Sequence, residues 1–248
     1  KMIQDGMFDD FKIDEVYALH NWPELPLGTF GVNSGPMMAA VDEFDITVKG
    51  KGGHAASPHL AIDPVVISAQ VISAVQTIIS RSTDPVDKAL ISITKINAGT
   101  AYNVIDDQVK MGGTIRTFRR ETRAYIEKRL NELCKGIADA HGAEIKIEFD
   151  LVNKYPPTIN SKEETKFAAN VAKDLVGDDK VITDIDPSMG GEDFSYLLEK
   201  KPGSYLYLGQ GDEEHSAHLH TTRYDFNDNL LPIGVNFWVD LVQKYFSR

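Results

Sequence analysis

Val16-Tyr17-Ala18-Leu19-His20 is an apolar run closing on a histidine, and the pattern predicts a strand over residues 13 to 20. Residues 21 to 40 break it with Trp22-Pro23, Leu25-Pro26, Gly28, Gly31 and Gly35-Pro36, a spacing that predicts irregular connecting chain. From 43 to 151 the periodicity is regular. Phe44, Ile46 and Val48 alternate as a strand. Asp63-Pro64 offers an N-cap with proline at the first helical position. The stripe Val65, Val66, Ala69, Ile72, Val75, Ile78, Ile79 then predicts a helix to about Ser80. Strands follow at Leu90 to Ile96 and Gln108 to Phe118, the second with Val109, Met111, Gly113 and Ile115 on one face and Thr114 and Arg116 on the other. A second helix carries Tyr125, Ile126, Leu130, Leu133, Cys134, Ile137 and Ala138 and stops at His141-Gly142. Ile145, Ile147 and Phe149 form a last strand.

This β-α-β-β-α-β order predicts a ferredoxin-like unit with helices on one sheet face and a free edge open to pairing with a second copy. Tyr155-Pro156-Pro157 ends the unit. Ser161-Lys162-Glu163-Glu164 reads as a capping box before a helix that stops at Gly177. A short helix after Gly190-Gly191-Glu192-Asp193-Phe194, a strand from Tyr205 to Leu208 and an amphipathic helix from Leu231 to Phe246 complete the chain. The expected fold is α/β: a domain of residues 1–42 and 153–248, interrupted by a ferredoxin-like domain of residues 43–152. Lys1 to Gly6 reads as the last turn of a helix closed by glycine, so the chain is expected to begin inside a helix, as a fragment does.

Composition narrows the function. Hydrophobic residues at 42% and charged residues at 25% over 248 positions are ordinary for a globular protein. A net charge of −11 leaves no basic stripe for nucleic acid. No apolar run approaches the roughly 18 residues of a membrane span. Cys134 is the single cysteine, which excludes an intrachain disulfide and fits a reducing, cytoplasmic setting.

His20 closes a strand, and sites in α/β sheets lie off the carboxyl ends of strands; it either caps a loop or binds a ligand. His215, His218 and His220 cluster before Arg223-Tyr224-Asp225-Phe226. In extended chain His218 and His220 face one side, as metal ligands or as a solvated loop. Gly52-Gly53-His54 is either an exposed turn or an imidazole placed to donate to an oxyanion. Asn103 and Arg116 are polar positions of the inserted unit, and an arginine fork suits a carboxylate. Glu192 and Asp193 read as first-turn acids or as a carboxylate steering a ligand.

Taken together, Ala18-Leu19-His20-Asn21-Trp22-Pro23, Gly50-Lys51-Gly52-Gly53-His54-Ala55-Ala56-Ser57-Pro58, Asn103-Val104-Ile105, Gly113-Thr114-Ile115-Arg116-Thr117-Phe118, Gly191-Glu192-Asp193-Phe194 and Leu219-His220 resemble, in order, the M20 metallopeptidase family, in particular its amidohydrolase branch. The resemblance implies a metallopeptidase-type catalytic domain with a lid that dimerises through its sheet edge. It implies two divalent metals (zinc, or manganese, nickel or cobalt) and hydrolysis of N-acyl amino acids or related small amides. His20 and His220 are then metal ligands, His54 stabilises the oxyanion, Asn103 and Arg116 hold the substrate carboxylate, and Glu192 lines the site. The family's Cys-Gly-His-Asp and Glu-Glu segments have no counterpart here, so the chain resembles the family without its N-terminal third and is expected to be inactive alone. Alternatives are a non-catalytic dimerising or ligand-binding relative, and a dipeptidase or diaminopimelate-type deacylase.

Overall fold

The computed structural model describes residues 1–150 and 154–248; the domain boundary expected between residues 152 and 153 lies outside the described residues. In chain order the elements are α1 (Met7–Asp10), β1 (Val16–Pro26), β2 (Phe30–Gly31), β3 (Gly35–Met38), β4 (Ala40–Lys49), β5 (Gly53–His54), α2 (Pro64–Thr77), β6 (Ala89–Asn97), β7 (Val104–Ile105), β8 (Gln108–Thr117), α3 (Arg120–His141), β9 (Glu144–Phe149), β10 (Thr158–Asn160), α4 (Lys162–Val176), β11 (Val181–Ile182), α5 (Ser195–Leu198), β12 (Gly203–Gly211) and α6 (Leu230–Tyr245). The result is a mixed α/β chain in two compact units. One comprises Lys1–Met38, Thr158–Ser188 and Glu192–Arg248; the other comprises Ala39–Pro157 and Met189–Gly191.

In the first unit the sheet order is β1-β12-β2-β11. β1 runs parallel to β12, with His20 opposite Tyr207, and β12 runs antiparallel to β2. β12 is buried along all but its last residue. One of its faces packs Leu206 and Leu208 against Phe30, Phe237 and Leu241; the other packs Tyr205 and Tyr207 against Val16, Met37 and Phe194. Beside Tyr205 the ladder has a gap that a side chain fills. Asn160 Oδ1 accepts from Tyr205 N–H at 2.7 Å and its Nδ2 donates to Tyr205 C=O at 2.9 Å. The amide thus pairs that residue as a strand neighbour does.

Two expectations for this unit are corrected, and a third is extended. The stretch 21–40 is largely strand. β1 continues through Pro23 and Pro26 because it is an edge strand whose register shifts between Trp22 and Pro26, a place where missing N–H groups are tolerated. Glycine on the partner makes the approach possible: a Cβ at Gly209 would sit 2.1 Å from Pro26 C=O, and one at Gly211 2.3 Å from Pro23 C=O. Second, Ser161 precedes α4 but its side chain does not cap it. Its hydroxyl accepts instead from Gly203 N–H at 3.2 Å. Third, Gly6, at φ 95°, also opens α1. It does close the turn before it, through Gly6 N–H to Ile3 C=O and Met7 N–H to Met2 C=O, a Schellman pair.

The second unit has a four-stranded antiparallel sheet ordered β6-β8-β4-β9. α2 and α3 pack on it, joining Ile67, Val71, Val75, Ile126, Leu130 and Cys134 to Phe44, Ile46, Met111 and Ile115. Asp63 caps α2 by accepting from Val65 and Val66 N–H. α2 ends at Thr77 and passes into a π-turn over Ile78–Ser82. That continuous segment, Pro64–Ser82, is long and apolar enough by length and composition to cross a membrane, at mean hydropathy 1.3 over an 18-residue window. The expectation that no run approaches a span is corrected to that extent. Ile67, Val71, Val75 and Ile78, however, point into this unit's core. Burial also pushes the Cys134 thiol up to about 11, leaving it an inert packing group. Asp42, 4% exposed, takes a bidentate fork from Arg123 with both contacts at 2.6 Å, and Lys154 lies 3.7 Å away.

Two measurements check these couplings. Asn160→Leu strands both main-chain groups of Tyr205 and should lower stability by about 2–4 kcal/mol in urea unfolding. Asp42→Ala leaves Arg123 without its partner and should cost about 3–5 kcal/mol, whereas replacing both charges with apolar residues should recover most of that loss.

Candidate functional site

In the first unit, His20 lies inside β1 opposite Tyr207, and the pairing with β12 continues through Asn21 and Trp22, so the strand does not close on His20 as its apolar pattern suggested. Its ring lies 6.1 Å from Trp22 and 6.2 Å from Tyr205, and Trp22 stacks on Tyr207 with centroids 3.9 Å apart. His20 Nδ1 is 2.7 Å from Asn21 C=O. A carbonyl only accepts, so Nδ1 carries the hydrogen and the Nε2 lone pair is left for a ligand, the usual arrangement behind a metal-bound imidazole. Tyr205 also meets Glu192: its hydroxyl donates to Oε2 at 2.7 Å, while Phe194 N–H donates to Oε1 at 3.3 Å. Burial and that carboxylate push the Tyr205 phenol far above its ordinary range. Burial, then its hydrogen bond with Glu192, raises the pKa of Asp193. Glu192 therefore both caps the approach to α5 and shares an aromatic neighbour with His20.

His218 and His220 are not side by side on extended chain, as their spacing suggested. The backbone turns at Leu219-His220, and His220 sits at φ 60°, the left-handed region, alone among described non-glycine residues. His218 Nδ1 lies 2.6 Å from Glu24 Oε1. His215 Nδ1 lies 2.8 Å from Asp212 Oδ1. Among the described residues, no three His, Cys, Asp or Glu side chains converge on a point that would hold a metal ion. The donors fit a metal as part of a set: His20 by its tautomer, His220 by its exposed turn.

In the second unit His54 and Asn103 come together. β5 pairs with β7, Ala55 N–H donates to Asn103 C=O at 3.1 Å, and both residues line an open cleft of about 470 Å³ with Gly52 and Asp107. A Cβ at Gly52 would sit 2.8 Å from Ile105 C=O, so glycine sets the closeness of the two loops. Ala56 N–H donates to His54 Nδ1 at 3.0 Å. Nδ1 is thus the acceptor and Nε2 carries the hydrogen, the opposite tautomer to His20. Arg116 is not in this cleft. It lies in β8 between Val41 and Leu90, bonding the Thr114 hydroxyl and Ile115 C=O. Burial holds its pKa below the ordinary guanidinium value.

Sequence reasoning passed over Tyr205, Asn21, Gln210 and Tyr224. Gln210 is fully buried, and Asn21 and Tyr224 both hydrogen-bond its side chain. Nothing in the local sequence marks these residues, since a glutamine after glycine at a strand end resembles any loop start.

The profile described as peptidase family M20/M25/M40 matches residues 1–244, and the chain belongs to that family. It is 38% identical over 246 residues to hippurate hydrolase of Campylobacter jejuni, covering 99% of this chain and 63% of that protein. It is 35% identical over 242 residues to N-acetylcysteine deacetylase of Bacillus subtilis (97% and 61%). The structure of a putative aminohydrolase from methicillin-resistant Staphylococcus aureus superposes with TM-score 0.88 at 28% identity, covering 98% of this chain and 62% of that one. The Bacillus subtilis YXEP protein, described as a dinuclear metal-binding peptidase of the M20 family, does so with TM-score 0.78 at 30% identity (97% and 59%). The chain thus spans about three-fifths of the length of these relatives.

The His215–Asp212 pair gives a pH test. Asp212 is lowered, first by His215 N–H and then by its ring, and His215 is raised by Asp212. The carboxylate's contribution is present above its unfolded value and fades as pH falls through its folded one. The imidazolium's is present below its unfolded value and fades as pH rises through its raised folded one. The link should therefore be strongest at mildly acidic pH. NMR titration should place the His215 midpoint above that of a free histidine, and Asp212→Asn should bring it back.

Proposed function

We propose that these residues form the larger part of a metal-dependent amidohydrolase that removes the acyl group from N-acyl amino acids or related small amides. The observation that carries the reading is His20: an imidazole on β1 with Nδ1–H on a main-chain carbonyl, in a chain 38% identical to a hippurate hydrolase over 99% of its length. The relatives named hippurate hydrolase, N-acetylcysteine deacetylase and N-acetyldiaminopimelate deacetylase share, by name, an acyl group on an amino-acid nitrogen.

In this reading His20 and His220 belong to the donor set of two divalent ions: zinc, or manganese, nickel or cobalt. When bound, such ions polarise the scissile carbonyl and lower the pKa of water. His54, with the hydrogen on Nε2, donates to the oxyanion of the tetrahedral intermediate. Asn103 in the His54 cleft and Arg116, which lies apart from that cleft in β8, are read as separate contacts to the carboxylate end of a substrate, and Glu192, fixed by Tyr205 and Phe194 N–H, lines the substrate side. The second unit is read as a ferredoxin-like lid, its β6 or β9 edge pairing in a homodimer. The lone buried thiol accords with a cytoplasmic setting.

A second reading for the isolated chain is that of a non-catalytic binding relative. The 248 residues with added Zn²⁺ or Mn²⁺ should therefore leave hippurate and N-acetyl amino acids uncleaved. A protein of the relatives' length containing them should cleave these compounds. There His54→Ala should lower kcat by about 10²–10³-fold, and Arg116→Met should chiefly raise KM. Turnover by the isolated chain, or wild-type rates in both variants, would count against the assignment.

A further inference from the structure

Arg116 is held by the protein through one of its three nitrogens. Its Nη1 donates to the Thr114 hydroxyl and, at 3.1 Å, to Ile115 C=O. Those two bonds use both Nη1 hydrogens. Among the described residues, Nε and Nη2 donate to nothing and no carboxylate pairs with the guanidinium. Burial lowers its pKa more than the through-space pull of Glu43 and Asp42 raises it. Nε–H and the neighbouring Nη2–H form the planar fork that a carboxylate fills bidentately. The same unit supplies an example: Arg123 uses that side, Nε and Nη2 each at 2.6 Å, on the two oxygens of Asp42. Arg116 keeps free the side that Arg123 fills.

Thr114 decides which side stays free. A hydroxyl has one hydrogen, and that of Thr114 goes to Asp42 C=O at 2.8 Å. Lone pairs alone are then left toward Arg116 Nη1. Thr114 and Arg116 are two residues apart in β8 and so share a sheet face. Thr114 lies between Glu43 and Ser92, and Arg116 between Val41 and Leu90. The guanidinium is therefore drawn back along its own strand. Asp42, whose carbonyl takes the hydroxyl, is itself fixed by Arg123. The anchoring thus runs from a buried ion pair through a carbonyl and a hydroxyl to the guanidinium. A long side chain restrained in this way loses less freedom when it meets a ligand.

We propose that Thr114 is a positioning residue for substrate recognition: its hydroxyl, donating to Asp42 C=O and accepting from Nη1, presents the Nε/Nη2 side of Arg116 to the carboxylate of an N-acyl amino acid. The inference rests on the reading of Arg116 as a carboxylate contact. Thr114→Val keeps the shape of the side chain and removes the hydroxyl; Thr114→Ser keeps the hydroxyl.

In the 248-residue chain, nitrogen NMR of the guanidinium tests the positioning alone. Rotation about the Arg116 Nε–Cζ bond should be slow in wild type and Thr114→Ser, and about 10-fold faster in Thr114→Val. Rotation unchanged in Thr114→Val overturns the inference whatever the substrate is. In a protein of the relatives' length containing these residues, Thr114→Val should raise KM for N-acetyl amino acids about 10-fold and leave kcat nearly unchanged, with Thr114→Ser close to wild type. The corresponding carboxamides, which lack the carboxylate, should be cleaved with equal kcat/KM by wild type and Thr114→Val. In an Arg116→Met background, Thr114→Val should add nothing. Equal losses on acids and carboxamides, or no recovery in Thr114→Ser, overturn the inference and leave the Arg116 reading in place. An unchanged KM in Arg116→Met, or no cleavage by the wild type, overturns that reading and the inference with it.

Discussion

The first unit depends on the pairing of β1 with β12. β12 is buried on both faces, so its main-chain groups have no access to water and each must be met by protein. β1 meets one edge; β2 and the Asn160 amide meet the other. Once that is settled, alternation does the rest. Leu206 and Leu208 face the α4–α6 side, Tyr205 and Tyr207 face the side of His20 and Trp22, and Gln210 emerges where the strand runs out.

The second unit solves a different problem. Its antiparallel sheet is fixed by long registers and by a core shared with two helices, and the deeply buried Asp42 is forked by Arg123. Short strands outside that sheet build the cleft. β5 and β7 are two residues each, yet they bring Gly52, His54 and Asn103 to one cleft. The two histidines of interest are held by main-chain partners of opposite kind, an acceptor for His20 and a donor for His54. Each imidazole therefore has a defined tautomer before any ligand arrives, and the two roles are not interchangeable.

Where apolar periodicity is long, the sequence was legible: α2, α3, α4 and α6, β4, β8 and β9 lie where the pattern put them, and Asp63, Gly142 and Gly177 end or begin helices as their types suggest. It was not legible between 21 and 40. There Pro23 and Pro26 signalled a break, while the deciding fact, room on β12 at Gly209 and Gly211, lies far along the chain. The site divides in the same way. His20, His54 and Asn103 were singled out from their flanking residues, and the structure brings His54 and Asn103 to one cleft while carrying β1 on past His20. The His218–His220 relation depended on a backbone turn, and Gln210 on three partners distant in sequence, which no local spacing encodes.

The chain has two tryptophans, and they stand in separate parts of the first unit's interior. Trp238 packs beside Phe237, while Trp22 lies flat on Tyr207 with its edge toward the His20 ring. A ring stack that close to an imidazole makes the indole an optical gauge. Its emission is sensitive to the orientation and charge of its neighbour, so the light it returns carries information about the state of His20 that needs neither label nor substrate.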